Sequence, residues 1–204
     1  MSRASLPFRL WAATRTGFKT HGIAFPFVGE KAKGRMSVRI IAVEPASCPT
    51  MTKGRYAYDF GDTGHLTPLV KMHTLGSAFV PSAIHAGGLR YHGMAPLVSH
   101  CLELGLIEAR AYAQLECFAA GVQFARTEGI VPAPESNHAV KCAIDEALRC
   151  KKEGKGQTIL FNLSGHGHFD MQAYTDYFAG KLKDEPYDQK ALDTALAGLP
   201  KVAA

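Results

Sequence analysis

Two mainly apolar runs, Val38-Arg-Ile-Ile-Ala-Val-Glu-Pro45 and Thr158-Ile-Leu-Phe-Asn-Leu163, constrain the fold of this chain most strongly. Each is short, rich in β-branched or bulky side chains and bounded by turn residues, the pattern of a strand covered on both faces. Helical periodicity alternates with them. Residues 22–33 can form a helix in spite of Pro26. Met94, Leu97, Val98, Cys101 and Leu104 repeat at helical spacing between His92 and Gly105, and Gly105 is a natural stop. A short strand over 107–112 and a helix over 114–127 follow. Gly129-Ile-Val-Pro-Ala-Pro-Glu-Ser136 then breaks the pattern with two prolines. Ser136 or Asn137 can cap the next helix, whose apolar face would be Val140, Ala143, Ile144, Ala147 and Leu148 and whose end is Lys151 and Lys152, cations suited to the negative helix terminus. After strand 158–163 comes a helix from about Asp170 to Lys181, and the tail 184–204 has helical character.

Strands alternating with helices imply a parallel sheet with crossover connections. About three strands are visible, a narrow sheet with unpaired edges, so the chain reads as part of an α/β fold. Residues 46–92, rich in Gly, Pro, Thr and His, read as a long functional loop region.

Composition excludes several classes. No apolar run approaches the 18 residues of a membrane span. The five cysteines form no C-x-x-C pair, which fits free, mostly buried thiols in a reducing cytoplasm rather than a disulfide framework or zinc site. The pI near 9 owes much to residues 1–21, where Arg3, Arg9, Arg15 and Lys19 meet no acid. The remainder holds 19 Lys+Arg against 18 Asp+Glu, with no clustered basic face for nucleic acid. Residues 1–21 are therefore set apart as an unrelated or disordered extension, and 22–183 is taken as the domain.

Ligands of open parallel sheets bind beyond the carboxyl ends of the strands. Leu163-Ser-Gly-His-Gly-His168 stands at such an end, with glycines that allow close approach and a Ser164 hydroxyl that can donate or accept. Read by pattern alone it is equally a tight strand-to-helix turn. His166 and His168, two apart, would need further ligands to hold a metal. Pro134-Glu-Ser-Asn-His138 puts a carboxylate at a helix start, where Glu135 also complements the dipole. His85-Ala-Gly-Gly-Leu-Arg-Tyr-His-Gly93 is a glycine-rich loop carrying a cation, without a G-x-G-x-x-G or P-loop pattern. No G-x-S-x-G occurs, and no thiol has an obvious paired base, so acyl transfer has little support.

These segments, in this order, resemble tryptophan synthase β chains. EGIVPAPESNHAV followed by ILFNLSGHGHFDMQAY resembles the end of such chains. IIAVEPASCPTMTKG, YAYDFGDTGHLTPLVKMHTLG and IHAGGLRYHGMAPLVSHCLELGLIEA resemble their second, divergent type, over about residues 22–182. The resemblance implies a fold-type II pyridoxal-phosphate (PLP) enzyme joining L-serine, or a related donor such as phosphoserine, to indole, with the cofactor as electron sink. It implies that Ser164, followed by Gly165, faces the pyridine nitrogen, where a neutral hydroxyl leaves that nitrogen unprotonated. Glu135 matches the glutamate beside the ring that can handle protons during indole addition. Gly87 and Gly88 fall in the loop lining the site. Arg90 stands where better-known β chains have a gating aspartate, and Tyr91 lies near the family's monovalent-cation site. The family's Schiff-base lysine belongs to a His-Lys-x-Asn string that does not occur here. Its GGGSN phosphate loop should stand just before Gly22, where Thr16-Gly-Phe-Lys-Thr-His21 is found instead, and nothing around Lys19 matches a substitute. The expectation is a chain inactive alone, present as a homodimer or docking on an intact β chain or its N-terminal half.

Overall fold

The computed structural model describes residues 8–10 and 17–202, with side chains from Ile23 on. In chain order the elements are β1 (Phe8–Leu10), α1 (Gly17–Ala32), β2 (Ile41–Pro45), β3 (Arg55–Asp59), β4 (Val70–Thr74), α2 (Pro96–Glu103), β5 (Glu108–Tyr112), α3 (Gln114–Glu128), α4 (Pro134–Glu153), β6 (Thr158–Leu160), α5 (Met171–Phe178) and α6 (Gln189–Ala197). Single 3-10 turns lie at Gly87–Leu89 and Gly167–Phe169.

The fold is α/β with parallel pairing and flanking helices, but the strands form ladders of two. β2 pairs with β5 in parallel, Ile41 opposite Glu108, and β1 pairs with β6 in parallel, Phe8 opposite Thr158. Phe8–Leu10 and the first turns of α1 thus fall inside the segment 1–21 that was set apart from the domain.

β2 is the strand that organises the core. Every one of its residues is buried, and its alternation feeds two separate clusters. Ile40 and Ala42 pack with Ala24, Val28, Met94, Val98 and Ile107 under α1 and α2. Ile41 and Val43 pack with Tyr112, Cys117, Ala139 and Cys142 under α3 and α4. Glu44, fully buried in the same strand, accepts from Met51 N (2.8 Å), Thr52 N (2.8 Å) and the Thr52 hydroxyl (2.7 Å), so its carboxylate closes the turn after the strand.

The region expected to be loop holds an antiparallel hairpin, β3–β4, with Arg55 opposite Thr74. Its connection is fixed by Asp62, which accepts from Leu66 N, Thr67 N and the Thr67 hydroxyl; those bonds bring its carboxyl down to about 2. α2 begins at Pro96 rather than His92, because 92–94 runs beside β4: Leu75 N donates to His92 O and Met94 N to His73 O. Gly105 does end that helix, at φ 67. The tail is helical where expected: α6 docks through Leu192 and Ala195 on Cys48, Leu75 and Phe79.

α4 departs from expectation in two ways. It starts at Pro134 with Ala133 as its cap, proline at the first position being preorganised for a helix. Ser136 and Asn137 lie inside, and their side chains bond elsewhere. Its core-facing stripe is also not the predicted apolar one. Ala139, Cys142, Glu146 and Cys150 face inward, and Glu146, 1% exposed, is held by Arg149 (2.6 Å), Arg110 (2.8 Å) and Arg39 (3.4 Å). Of the predicted face only Val140 is buried; Ala143 and Ile144 are half-buried, and Ala147 and Leu148 exposed. β6 is likewise shorter than the run 158–163, and no residue of that run is buried.

Among the described residues, four of the five cysteines are buried, all five are free, and no helix is long and apolar enough to cross a membrane.

Candidate cofactor site

The three segments singled out in the sequence converge. The stretch before α4 runs antiparallel to the turn after β6: Gly167 N donates to Val131 O (2.7 Å), Ala133 N to Gly165 O (3.2 Å), and Pro132 bridges to His166. The turn needs Gly165, whose φ is 84, and Gly167, where a Cβ would sit 2.6 Å from the Pro132 carbonyl oxygen. From the first turn of α4 the Ser136 hydroxyl donates to the Ser164 carbonyl, tying the two segments a second time. Tyr174 of α5 braces the α4 side of this contact. Its hydroxyl donates to Pro132 O (2.6 Å) and accepts from Asn137 Nδ2 (3.0 Å), all within the core. Gly121 of α3 makes the room, since a Cβ there would lie 2.1 Å from Asn137 Oδ1.

Glu135, next along α4, accepts from Gly88 N through Oε1 (3.0 Å). A Cβ on Gly88 would stand 3.2 Å from that oxygen, so the glycine allows the close approach. The loop around it is fixed from outside: Gln114 Oε1 accepts from His85 N (2.8 Å), and Leu89 is fully buried. Glu135 Oε1 thereby joins two segments 47 residues apart.

Ser164 Oγ is buried and, among the described residues, has no hydrogen-bond partner, a state that costs free energy unless a ligand supplies one. His138, fully buried, donates from Nδ1 to Pro134 O (3.1 Å), which leaves Nε2 bare. Burial pushes its pKa down to about 4, so it is a neutral wedge under the start of α4. Asp170, which sequence reasoning passed over, has its carboxyl raised first by burial and then by the charge of Glu135, with His85 and His166 opposing. Its position after SGHGHF carries no pattern that would have marked it. Among the described residues no group of three His, Cys, Asp or Glu could hold a metal.

Arg90 and Tyr91 point to other partners. Arg90 Nη2 donates to Pro81 O (2.8 Å) and its buried Nε has no partner, so the guanidinium braces its own loop. The Tyr91 side chain is 60% exposed, and its carbonyl accepts from the Thr50 hydroxyl (3.0 Å) and the Cys48 thiol (3.2 Å).

The start of α4 thus brings together the Ser164 turn, through Ser136, and the Gly88 loop, through Glu135. Comparison with known proteins gives the family. The family model described as pyridoxal-phosphate dependent enzyme matches residues 6–165. The chain belongs to that enzyme family. It is 60% identical over 166 residues to tryptophan synthase beta chain 2 of Methanosarcina acetivorans, covering 81% of this chain and 38% of that one. Against the protein of the same name from Aquifex aeolicus it is 61% identical, covering 80% and 38%. The tryptophan synthase beta chain of Thermococcus onnurineus is 55% identical, over 84% and 39%. The chain thus spans about two-fifths of the length of the curated relatives it matches. Among solved structures, a fungal L-serine ammonia-lyase from Rhizomucor miehei shares the fold, with a TM-score of 0.57, 14% identity, and coverage of 86% of this chain and 50% of that one.

The family's cofactor is pyridoxal phosphate, and the residues present fit its ring end. Among the described residues the buried Ser164 Oγ is left without a partner, a need that a ring nitrogen would meet.

Proposed function

We propose that this chain supplies the ring-facing part of a PLP site for β-replacement, the joining of L-serine, or its phosphorylated form, to indole with release of water or phosphate. The observation that carries the reading is the unpartnered, buried hydroxyl of Ser164 on a turn clamped to the helix of Glu135. When bound, the cofactor supplies an electron sink for charge developing at the amino acid's α-carbon. Ser164 would hold the ring by donating to its nitrogen, and a hydroxyl, too weak an acid to surrender its proton, would keep that nitrogen neutral, which suits elimination better than transamination. Glu135 spends Oε1 on Gly88 N–H, and its Oε2 is available to take the proton that indole gives up as its carbon bonds to the amino acid. Gly87 and Gly88 let the loop lie close to the substrate without a side chain in the way. Arg90, braced on Pro81, holds that loop in shape.

No His-Lys-x-Asn string stands in these 204 residues, so the chain by itself should not turn over. The test is the spectrum of the purified chain with PLP before and after borohydride reduction. It is then repeated with the upstream part of a β-type chain coexpressed, and tryptophan formation is followed. No reduced adduct alone, and tryptophan only in the mixture, is the expected result. An adduct mapped to a lysine of this chain, or binding of serine or indole without PLP, would sink the reading. A second reading, that the chain is chiefly an interaction module for a β chain, is favoured by the open face of α4 and β6.

A further inference from the structure

The apolar stripe of α4 is only partly covered: Val140 is buried, Ile144 half-buried, and Ala147 and Leu148 exposed. Phe124 of α3, Val140, Ile144 and Ala147 of α4, and Ile159 and Phe161 on the β6 run line a groove of about 270 Å³. Phe161 meets Phe124 edge-on at 5.8 Å between centroids, which fixes the groove's end, and Leu148 extends the apolar surface with 59% exposure. An amphipathic helix normally buries its apolar stripe and leaves charge outside. The C-terminal half of α4 departs from this, burying Glu146 against arginines while Ala147 and Leu148 stay exposed. A continuous apolar strand is normally covered on both faces, yet no residue of 158–163 is buried. Both exceptions fall on one surface, so that surface is built to be covered.

What covers it follows from two independent lengths. The Methanosarcina acetivorans relative has roughly three-fifths of its chain outside the match. The ammonia-lyase fold that accommodates 86% of this chain has half of its own chain left over. The polar groups around the groove, Gln123, Thr127 and Glu128, all belong to one edge of α3, too few and too one-sided to orient a small polar ligand. We infer that the α3–α4–β6 groove is the seat of an apolar polypeptide segment from the rest of a tryptophan synthase β-type chain, whether joined to this chain or supplied separately. The inference rests on the reading of the chain as one part of a β-type site and names the surface by which that part is joined to the other.

The test coexpresses this chain with the portion of the Methanosarcina acetivorans relative outside the match, with a photo-crosslinking amino acid at Ala147. A one-to-one complex cross-linked from Ala147 to the relative's segment is expected. Ala147→Glu, at an exposed position where the charge leaves the thermal midpoint of the isolated chain unchanged, should weaken the complex by about tenfold or more, because the carboxylate is desolvated only on docking. No complex, cross-links between two copies of this chain, or a complex indifferent to Ala147→Glu would overturn the inference. Tryptophan formation in the same mixture separates the two claims. Turnover with a complex indifferent to Ala147→Glu removes the groove and leaves the site reading; a groove-linked complex without turnover does the opposite.

Discussion

β2 and β6 both come from mainly apolar runs, and they meet opposite fates. β2 is buried along its whole length, with one core cluster on each face and a buried glutamate closing its turn. β6 has α4 on one side and a three-residue pairing with β1, and it stays half open. An apolar run states how a strand is to be covered; it does not say by which residues. β2 finds its cover within this chain, whereas β6, which leads into Ser164, does not. The candidate site therefore sits at the seam between a self-sufficient half of the molecule and an incomplete one.

Truncation should show this directly. Ile41→Ala removes a fully buried side chain and should cost about 3–4 kcal/mol, and Glu44→Ala, which leaves the buried Met51 N–H without its acceptor, about 2 kcal/mol. Ile159→Ala, at a half-buried position, should cost about 1 kcal/mol. Urea unfolding of the three variants measures the contrast. Equal losses at Ile41 and Ile159 would break the comparison, because β6 would then be covered in solution.

Acid should act through the start of α4. The unfolded chain protonates His138 near its ordinary 6.5 and the native chain near 4. Between those values the unfolded state holds more protons, so this contribution to stability is intact above about pH 6.5 and is lost as the pH falls towards 4. The full loss is on the order of 3 kcal/mol. Urea midpoints at pH 7 and pH 4.5 should differ accordingly, and His138→Gln should flatten that difference. A wild-type stability that does not change across this window would show that His138 is reached by water in the native state.

Much of this was legible in the sequence, and the failures have physical causes. β2, β5, α3 and the existence of α4 follow from continuous runs and 3.6-residue periodicity, which survive whatever the tertiary surroundings are. The β3–β4 hairpin was not visible because RYAYD and VKMHT each carry charged residues on a half-exposed ladder. Ser136 and Asn137 looked like helix caps, since that is what free Ser and Asn side chains do. Here the carbonyl of Ser164 and the hydroxyl of Tyr174 compete for them and win. The apolar periodicity of α4 is legible in the sequence, but only Val140 of that face is buried, because Cys142, Glu146 and Cys150 take the inward positions farther along. Ser164 and Glu135 are marked by local pattern, a strand-end turn and a carboxylate at a helix start, and the family resemblance implies their roles. The bond of Glu135 to Gly88 and its charge on Asp170 join segments far apart in sequence, beyond any local pattern.

The smallest expected effect tests the site most closely. Ser136 and Ser164 stand on the two sides of one contact, but their hydroxyls differ: that of Ser136 is used within the chain, and that of Ser164 is not. Ser136→Ala removes a buried bond and leaves the Ser164 carbonyl short of a donor, at a cost of about 1–2 kcal/mol. Ser164→Ala removes a hydroxyl that has no partner to lose, so stability should stay within about 0.5 kcal/mol or rise slightly. In the assembled enzyme the order should reverse, with Ser164→Ala the more damaging to the spectrum of bound PLP. If Ser164→Ala instead destabilised the isolated chain as much as Ser136→Ala, its hydroxyl would already be engaged by protein, and it could not be the group held in reserve for the ring nitrogen.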